Sequence, residues 1–225
     1  ILYASIMVVV VAAVLAIAAL GLKGRQTRNV EIDKMKQILS SVHVSASAKE
    51  AQSLYKALII DSFVLNEKGD TLRGVEAFDV NVAVQVKLPA SERQLPVYVC
   101  RLYNGVRKYI LPVYGAGLWG PIWGYISLDA DGNTLYGAYF AHESETPGLG
   151  AEIGSSAFQE QFPGKHLFVE EEFKSVAVEK KGQKPLNGAE YVNAISGGTI
   201  TSKGVQAMLL NSLSPYEPFL KSLQQ

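Results

Sequence analysis

A run of small and hydroxyl residues, Ser196-Gly197-Gly198-Thr199-Ile200-Thr201-Ser202, lies at the start of a predicted C-terminal helix. Glycines let the backbone approach a bulky group closely, and the free N–H groups at a helix start attract phosphate. Thr201 would lie at this end of the helix. The alternative interpretation is that these hydroxyl side chains only cap the last helix.

A second candidate segment is the loop His142-Glu143-Ser144-Glu145-Thr146-Pro147-Gly148-Leu149-Gly150. Pro147 restricts one φ angle, while the two glycines permit left-handed or closely approached backbone. This combination predicts a rigid loop that faces a ligand. An ordinary turn after a strand would have a similar composition.

The third segment runs from Gly115 to Gly124 and contains Trp119 and Trp123 among glycines and a proline. Aromatic faces in such a stretch could line a planar ring. Tryptophans are more often part of a protein core, so this interpretation stays open beside the first.

Composition excludes several classes of function. Lysine plus arginine and aspartate plus glutamate number 21 each, so there is no overall basic field of the kind that binds nucleic acid. The single cysteine, Cys100, cannot form a disulfide within the chain or ligate an iron–sulfur cluster or structural zinc by itself. We predict no metal site, because the three histidines lack a typical ligand spacing. Glu143 and Glu145 do not indicate a hydrolase, because a carboxylate pair near a loop is usually solvated.

The first 22 residues contain no charged side chain, and as a helix they would span about 30 Å, the thickness of a bilayer core. We predict a transmembrane anchor over residues 1–22. A cleaved signal peptide is the alternative, with Ala16-Ile17-Ala18 as its cleavage site, but the apolar stretch is longer than such peptides need. Lys23, Arg25 and Arg28 follow the anchor, and charge alone leaves its orientation open.

The rest of the chain predicts an α+β fold with a mixed, largely antiparallel sheet. Ile32, Met35, Leu39 and Val42 recur at three- and four-residue steps, which indicates that the helix continues or restarts as an amphipathic stalk. From Phe78 to Leu88, apolar residues alternate with mostly small or polar ones, which predicts a half-buried strand. The other predicted elements are a helix at 48–60, strands at 96–103 and 108–114, a hairpin of 124–128 with 135–141, a helix at 151–162, strands at 166–169 and 173–178, and a helix at 201–213.

Three motifs in this order behind one anchor resemble a known family. They are Gly-Leu-Trp at 117–119, Glu-Thr-Pro-Gly-Leu-Gly at 145–150 and Ser-Gly-Gly-Thr-Ile-Thr at 196–201. The sequence is similar to the NqrC family, the covalent-FMN subunits of the bacterial sodium-translocating NADH:quinone oxidoreductase. It also resembles a related subunit of the Rnf ferredoxin-linked complex, which stays an alternative. Asn193 and Gly198 depart from the family pattern, where Asp and Ala are usual.

The resemblance implies a cofactor and its site. In this family the last threonine of the third motif receives FMN as a phosphoester made by a separate flavin transferase, and that threonine corresponds to Thr201. The chain would then divide into the anchor 1–22, a helical stalk and linker 23–60, and a covalent-FMN-binding domain 61–225. No catalytic residue is predicted. The residues expected to contact FMN are Thr201, Ser196, Gly197, Gly198, Thr199, Leu118, Trp119, Glu145, Thr146, Gly148, Leu149 and Gly150.

The resemblance also implies partners and a place in the cell. Other membrane subunits of the same complex would include a second flavin subunit and a membrane pair that bears an iron–sulfur centre. Dinucleotide-binding and P-loop fingerprints are absent from the sequence, so the chain alone would not act on NADH. We expect a single-pass protein of the bacterial inner membrane with its domain on the periplasmic side. A membrane-anchored assembly module without a cofactor is the competing hypothesis.

Overall fold

The chain begins with one continuous helix in the computed structural model, which describes residues 2–224. Helix α1 covers Leu2–Ser40, so the helix continues past the apolar segment and does not restart. An 18-residue window of α1 has a mean hydropathy of 2.8 and no buried residue. Among the helices within residues 2–224, α1 alone is long and apolar enough to cross a membrane. Ile1 and Gln225, which end the first and last predicted segments, lie outside the described residues.

A six-stranded sheet in the order β2-β1-β3-β4-β5-β6 forms the centre of the fold, and all its strands pair antiparallel. The predicted hairpin is confirmed as β5 and β6, and the two strands predicted before it are found as β3 and β4. The strands are β1 Ile59–Leu65, β2 Thr71–Leu72, β3 Leu95–Arg101, β4 Arg107–Ala116, β5 Pro121–Leu128 and β6 Leu135–His142.

The predicted helix at 48–60 is shorter than expected. Helix α2 covers Ala51–Leu58, and the chain then enters strand β1, which the sequence analysis did not predict. The apolar residues Ile59 and Ile60 fit either a helix end or a strand start by pattern alone. Pairing of β1 with β3 decides between the two.

The predicted strand from Phe78 to Leu88 is wrong. This segment forms a 3₁₀ turn at Ala77–Asp79 and the short helix α3 at Val82–Gln85. The outer edge of β3 is already taken by β1, so no ladder partner remains there for a further strand. Arg93 instead donates to the carbonyl oxygens of Val86 and Leu88, which satisfies backbone groups without a sheet.

The C-terminal third contains smaller elements and one long helix. The predicted helix at 151–162 is only a 3₁₀ turn, Gly150–Gly154, followed by the one-turn helix α4, Ser156–Gln159. The strands here are β7 Phe168–Val169, β8 Glu172–Phe173, β9 Val176–Glu179 and β10 Glu190–Asn193. Strand β10 was not predicted, and it pairs parallel with β9. The predicted last helix is confirmed as α5, Thr199–Leu213, and α6, Glu217–Ser222, follows it.

Both faces of the central sheet are covered. Helix α5 packs against β4 and β9, and buried residues such as Val113, Ile126 and Met208 form the larger core on that side. The end of α1 and helix α2 form a second core on the opposite face around Ile38 and Tyr98. This arrangement confirms the α+β class with a largely antiparallel sheet. It also brings the start of α5 beside the turn between β4 and β5, where a Cβ built on Gly204 would lie 2.3 Å from the Ala116 carbonyl oxygen.

Candidate functional site

The tight turn between β4 and β5 forms one wall of the site. The Gly117 N–H donates to the Gly120 carbonyl oxygen across 2.8 Å, which closes the turn. The Trp119 N–H donates to Oε1 of Glu145 at 2.8 Å, and the neighbouring N–H groups of Leu118 and Gly120 also help to lower the pKa of that carboxylate. Successive backbone N–H groups that converge in this way make an anion-binding nest. Here they bind a carboxylate of the same chain.

Glu145 lies three residues after the end of β6, and its side chain is buried, with 4% of the residue exposed. Burial by itself raises the pKa of this carboxyl group. The hydrogen bonds from Thr201 and from the three backbone N–H groups outweigh burial and hold the pKa of Glu145 below its ordinary value. Glu145 is therefore an ionised, ordered group at neutral pH.

Thr201 meets this carboxylate from the other side. Its Oγ1 donates to Oε2 of Glu145 at 2.5 Å, and 1% of the residue is exposed. Thr201 is the third residue of α5, while the capping position is Gly198 and has no side-chain cap. Capping by Thr201, the alternative considered from the sequence, is therefore wrong.

Glycines allow the three segments to approach so closely. A Cβ atom on Gly117 would lie 2.5 Å from Oε1 of Glu145, and one on Gly150 would lie 2.5 Å from Oγ1 of Thr201. Gly197 has a φ of +74°, and a Cβ there would lie 2.6 Å from Cδ2 of Leu149. Larger residues at these positions would force the segments apart.

Exposed apolar side chains belong to the same three segments. Trp119 is 66% exposed, Ile200 is 60% exposed, and Leu118 and Leu149 are more than two-fifths exposed. Leu118 and Trp119 lie on the turn that binds Glu145, Leu149 contacts Gly197, and Ile200 precedes Thr201. Exposed apolar groups gathered beside an ordered polar group are typical of a ligand site.

The other predicted site residues lie in these segments but outside the hydrogen-bond network of Glu145. Ser196 and Thr199 are exposed, and their hydroxyl groups have no hydrogen bond within residues 2–224. The Thr146 carbonyl accepts from the N–H groups of Leu149 and Ala151. Gly148 has a φ of +75°, with no atom within 4 Å of a Cβ built there.

Gly117 and Gly120 were not among the predicted FMN contacts, although both are in the glycine-rich stretch and Gly117 begins the Gly-Leu-Trp motif. Their signal was the close spacing of two glycines around Leu118 and Trp119, which indicates a tight turn. Trp123, in contrast, points away from the network, because its indole N–H donates to Oε1 of Gln37 on α1. Within residues 2–224, no group of three or more His, Cys, Asp or Glu side chains could hold a metal.

Comparison with known proteins identifies the domain that contains this site. The family model described as the FMN-binding domain matches residues 117–214, which include all three segments. The NqrC subunit of the Na(+)-translocating NADH-quinone reductase of Vibrio vulnificus is 31% identical over 208 residues, which cover 86% of this chain and 81% of that protein. The corresponding Yersinia pestis subunit is also 31% identical, over 98% of this chain and 90% of its own length. This chain belongs to the NqrC family.

Solved structures agree with this assignment. The crystal structure of the same reductase subunit from Parabacteroides distasonis is 50% identical, has a TM-score of 0.82, and covers 88% of this chain and 96% of its own. NqrC of Shewanella oneidensis, at 22% identity and a TM-score of 0.72, has the same fold. The predicted family is thus confirmed, and the chain carries the FMN-binding domain of an oxidoreductase subunit.

Proposed function

We propose that this NqrC homologue is a membrane-anchored electron carrier, and that FMN is attached through a phosphoester to Oγ1 of Thr201. The observation that carries this proposal is the Thr201–Glu145 contact. One threonine hydroxyl is held by an ordered carboxylate at the point where the three segments of the FMN-binding domain meet. A hydroxyl of this kind has a fixed position and direction, as an attachment point requires.

The residues around Thr201 fit the two ends of FMN. The first turn of α5 has no side-chain cap, so its free N–H groups suit a phosphate. Leu118, Trp119 and Leu149 present apolar surface on which an aromatic ring system could pack. FMN supplies the electron-transfer chemistry when bound, and the protein supplies position, burial and hydrogen bonding.

The predicted contact residues keep their roles in this proposal. Thr201 is the attachment point; Ser196, Gly197, Gly198 and Thr199 shape the phosphate end. Leu118 and Trp119 of the β4–β5 turn and the loop from Glu145 to Gly150 form walls around the ring. Gly117 and Gly120 join them as backbone donors or spacers of the turn.

The proposal extends to assembly. The chain would receive electrons from an iron–sulfur centre held by a membrane pair of subunits and pass them to a second flavin subunit of a sodium-translocating complex. The apolar part of α1 would anchor it in the inner membrane, with the folded domain on the periplasmic side. The relatives' membership of a multi-subunit reductase supports such partners.

Intact-mass measurement of denatured protein tests the attachment. After co-expression with a flavin transferase, wild-type protein should carry one FMN mass, and peptide mapping should find it on Thr201. The Thr201→Ala variant should lack it. Thr199→Ala provides the comparison, because Thr199 is the other threonine of the same turn. FMN that persists in Thr201→Ala, or that maps to Thr199, would refute the assignment, and unmodified wild-type protein would favour the cofactor-free module.

A further inference from the structure

The Thr201–Glu145 contact has the geometry of a nucleophile and its proton acceptor. Oγ1 donates its proton to Oε2 at 2.5 Å, and both side chains are almost completely buried. A hydroxyl is a weak nucleophile unless an adjacent base accepts its proton as the new bond forms. Glu145 is the hydrogen-bond acceptor of this hydroxyl among the residues that the structure describes.

Glu145 is held in place independently of Thr201. The Trp119 N–H of the β4–β5 turn binds Oε1 of the carboxylate at 2.8 Å, and the absence of a side chain at Gly117 leaves room for Oε1. The loop atoms near Oγ1 come instead from Gly150.

We propose that Glu145 is the general base that activates Thr201 for its own flavinylation. This inference rests on the proposed function, since it assigns a role within the attachment step at the same site. It places part of the catalytic machinery for flavin attachment on the acceptor protein. The separate transferase would then supply the bound and activated flavin donor.

The flavin donor in the attachment step would be a flavin nucleotide whose phosphate is joined to a leaving group by an anhydride bond. Oγ1 forms a bond to the phosphorus, and the anhydride P–O bond breaks. The leaving phosphate takes the electron pair of that bond. The proton of Oγ1 passes to Oε2 of Glu145 and then to the leaving group or to water. No oxidant or reductant is needed.

A weakly basic carboxylate is sufficient for this role. The hydrogen bonds that lower the pKa of Glu145 keep it ionised at neutral pH, so it is always able to accept a proton. Oγ1 becomes strongly acidic only as its bond to phosphorus forms, and proton transfer late in the step does not require a strong base. Before that point, the hydrogen bond directs the proton toward Glu145 and leaves the lone pairs of Oγ1 free for attack.

The test uses the full-length apo-protein in detergent as the substrate of a purified flavin transferase. Glu145→Gln removes the base with little change in size. Glu143→Gln, an exposed residue two positions away, removes the same charge as a matched control. General-base assistance contributes roughly 10²–10⁴-fold. We expect Glu145→Gln to lower kcat by about 100-fold or more, with KM close to wild type because Glu145 is buried, and Glu143→Gln to react like wild type.

A second variant separates the two groups without removing either of them. A Cβ atom at Gly150 would lie 2.3 Å from Oε2 of Glu145 and 2.5 Å from Oγ1 of Thr201, so Gly150→Ala should force these groups to shift and should also lower kcat. Gly154→Ala is its control, because a Cβ there meets only the Phe140 carbonyl oxygen at 3.7 Å. If Glu145→Gln does not fold by circular dichroism, Glu145→Asp takes its place, because it keeps the charge but draws the carboxylate back from Oγ1. A folded Glu145→Asp variant with wild-type kcat would overturn the role of Glu145.

The outcomes separate this inference from the proposed function. Wild-type protein without FMN on Thr201 would overturn both. Flavinylated wild-type protein together with a folded Glu145→Gln variant of unchanged kcat would overturn only the role of Glu145. A loss confined to KM would also overturn it, because it would make Glu145 a docking residue.

Discussion

Removal of the Thr201 hydroxyl should destabilise the domain even when no flavin is attached. Thr201→Val keeps the shape of the side chain but deletes the donor to Oε2 of Glu145, which lies 2.5 Å away in a buried site. Hydrogen bonds to charged groups contribute about 1.5–3 kcal/mol. For a domain of this size, 1 kcal/mol corresponds to about 2–4 °C in Tm, so we expect Tm to fall by roughly 3–12 °C.

The matched control is Thr199→Val, the same substitution at an exposed position in the same helical turn. The free energy of unfolding of Thr199→Val should be within about 0.5 kcal/mol of the wild-type value. The assay is thermal unfolding of the full-length apo-proteins in detergent, followed by circular dichroism. Protein expressed without a flavin transferase avoids any contribution from the cofactor.

The difference between wild type and Thr201→Val should depend on pH in a defined direction. The pKa of Glu145 is lowered in the folded state, so its hydrogen bonds stabilise the fold above its unfolded pKa, about 4.3. This stabilisation is lost as pH falls through the folded pKa. We expect a constant difference in Tm above about pH 5 and a smaller one in more acid solution. Equal Tm values for Thr201→Val and Thr199→Val at pH 7, or a difference that grows in acid, would refute the buried hydrogen bond.

Two further predictions concern the loop and the membrane. Gly150→Val should lower flavin occupancy more than Gly148→Val, because a Cβ at Gly150 meets Thr201 and Glu145, whereas Gly148 has open space and only an unfavourable φ of +75°. Intact mass and flavin absorbance measure the occupancy. Wild-type values in both folded variants would make the loop an ordinary turn. Protease added to intact spheroplasts should digest the folded domain, whereas complete protection would place it in the cytoplasm, as the charges of Lys23, Arg25 and Arg28 would suggest.

Sequence patterns predicted the elements whose signals are local. The charge-free run at the start of α1 and the Asp131-Gly132-Asn133 turn between β5 and β6 each depend on neighbours within a few residues. The same local patterns failed at the edge of the sheet. The segment from Phe78 to Leu88 alternates as a strand would, but β1 pairs with β3 at that edge. A local pattern does not show which of two segments will pair with a given strand.

The site divides in the same way. The sequence by itself determined which segments matter, because the Gly-Leu-Trp, Glu-Thr-Pro-Gly-Leu-Gly and Ser-Gly-Gly-Thr-Ile-Thr motifs are readable without coordinates. It did not reveal that Thr201 is buried, or that Glu145 is its partner from 56 residues away. Tertiary structure decided both, because the packing of α5 against β4 brings the helix start beside the β4–β5 turn. A buried carboxylate requires hydrogen-bond donors, and only the folded chain brings the three N–H groups and the Thr201 hydroxyl to Glu145.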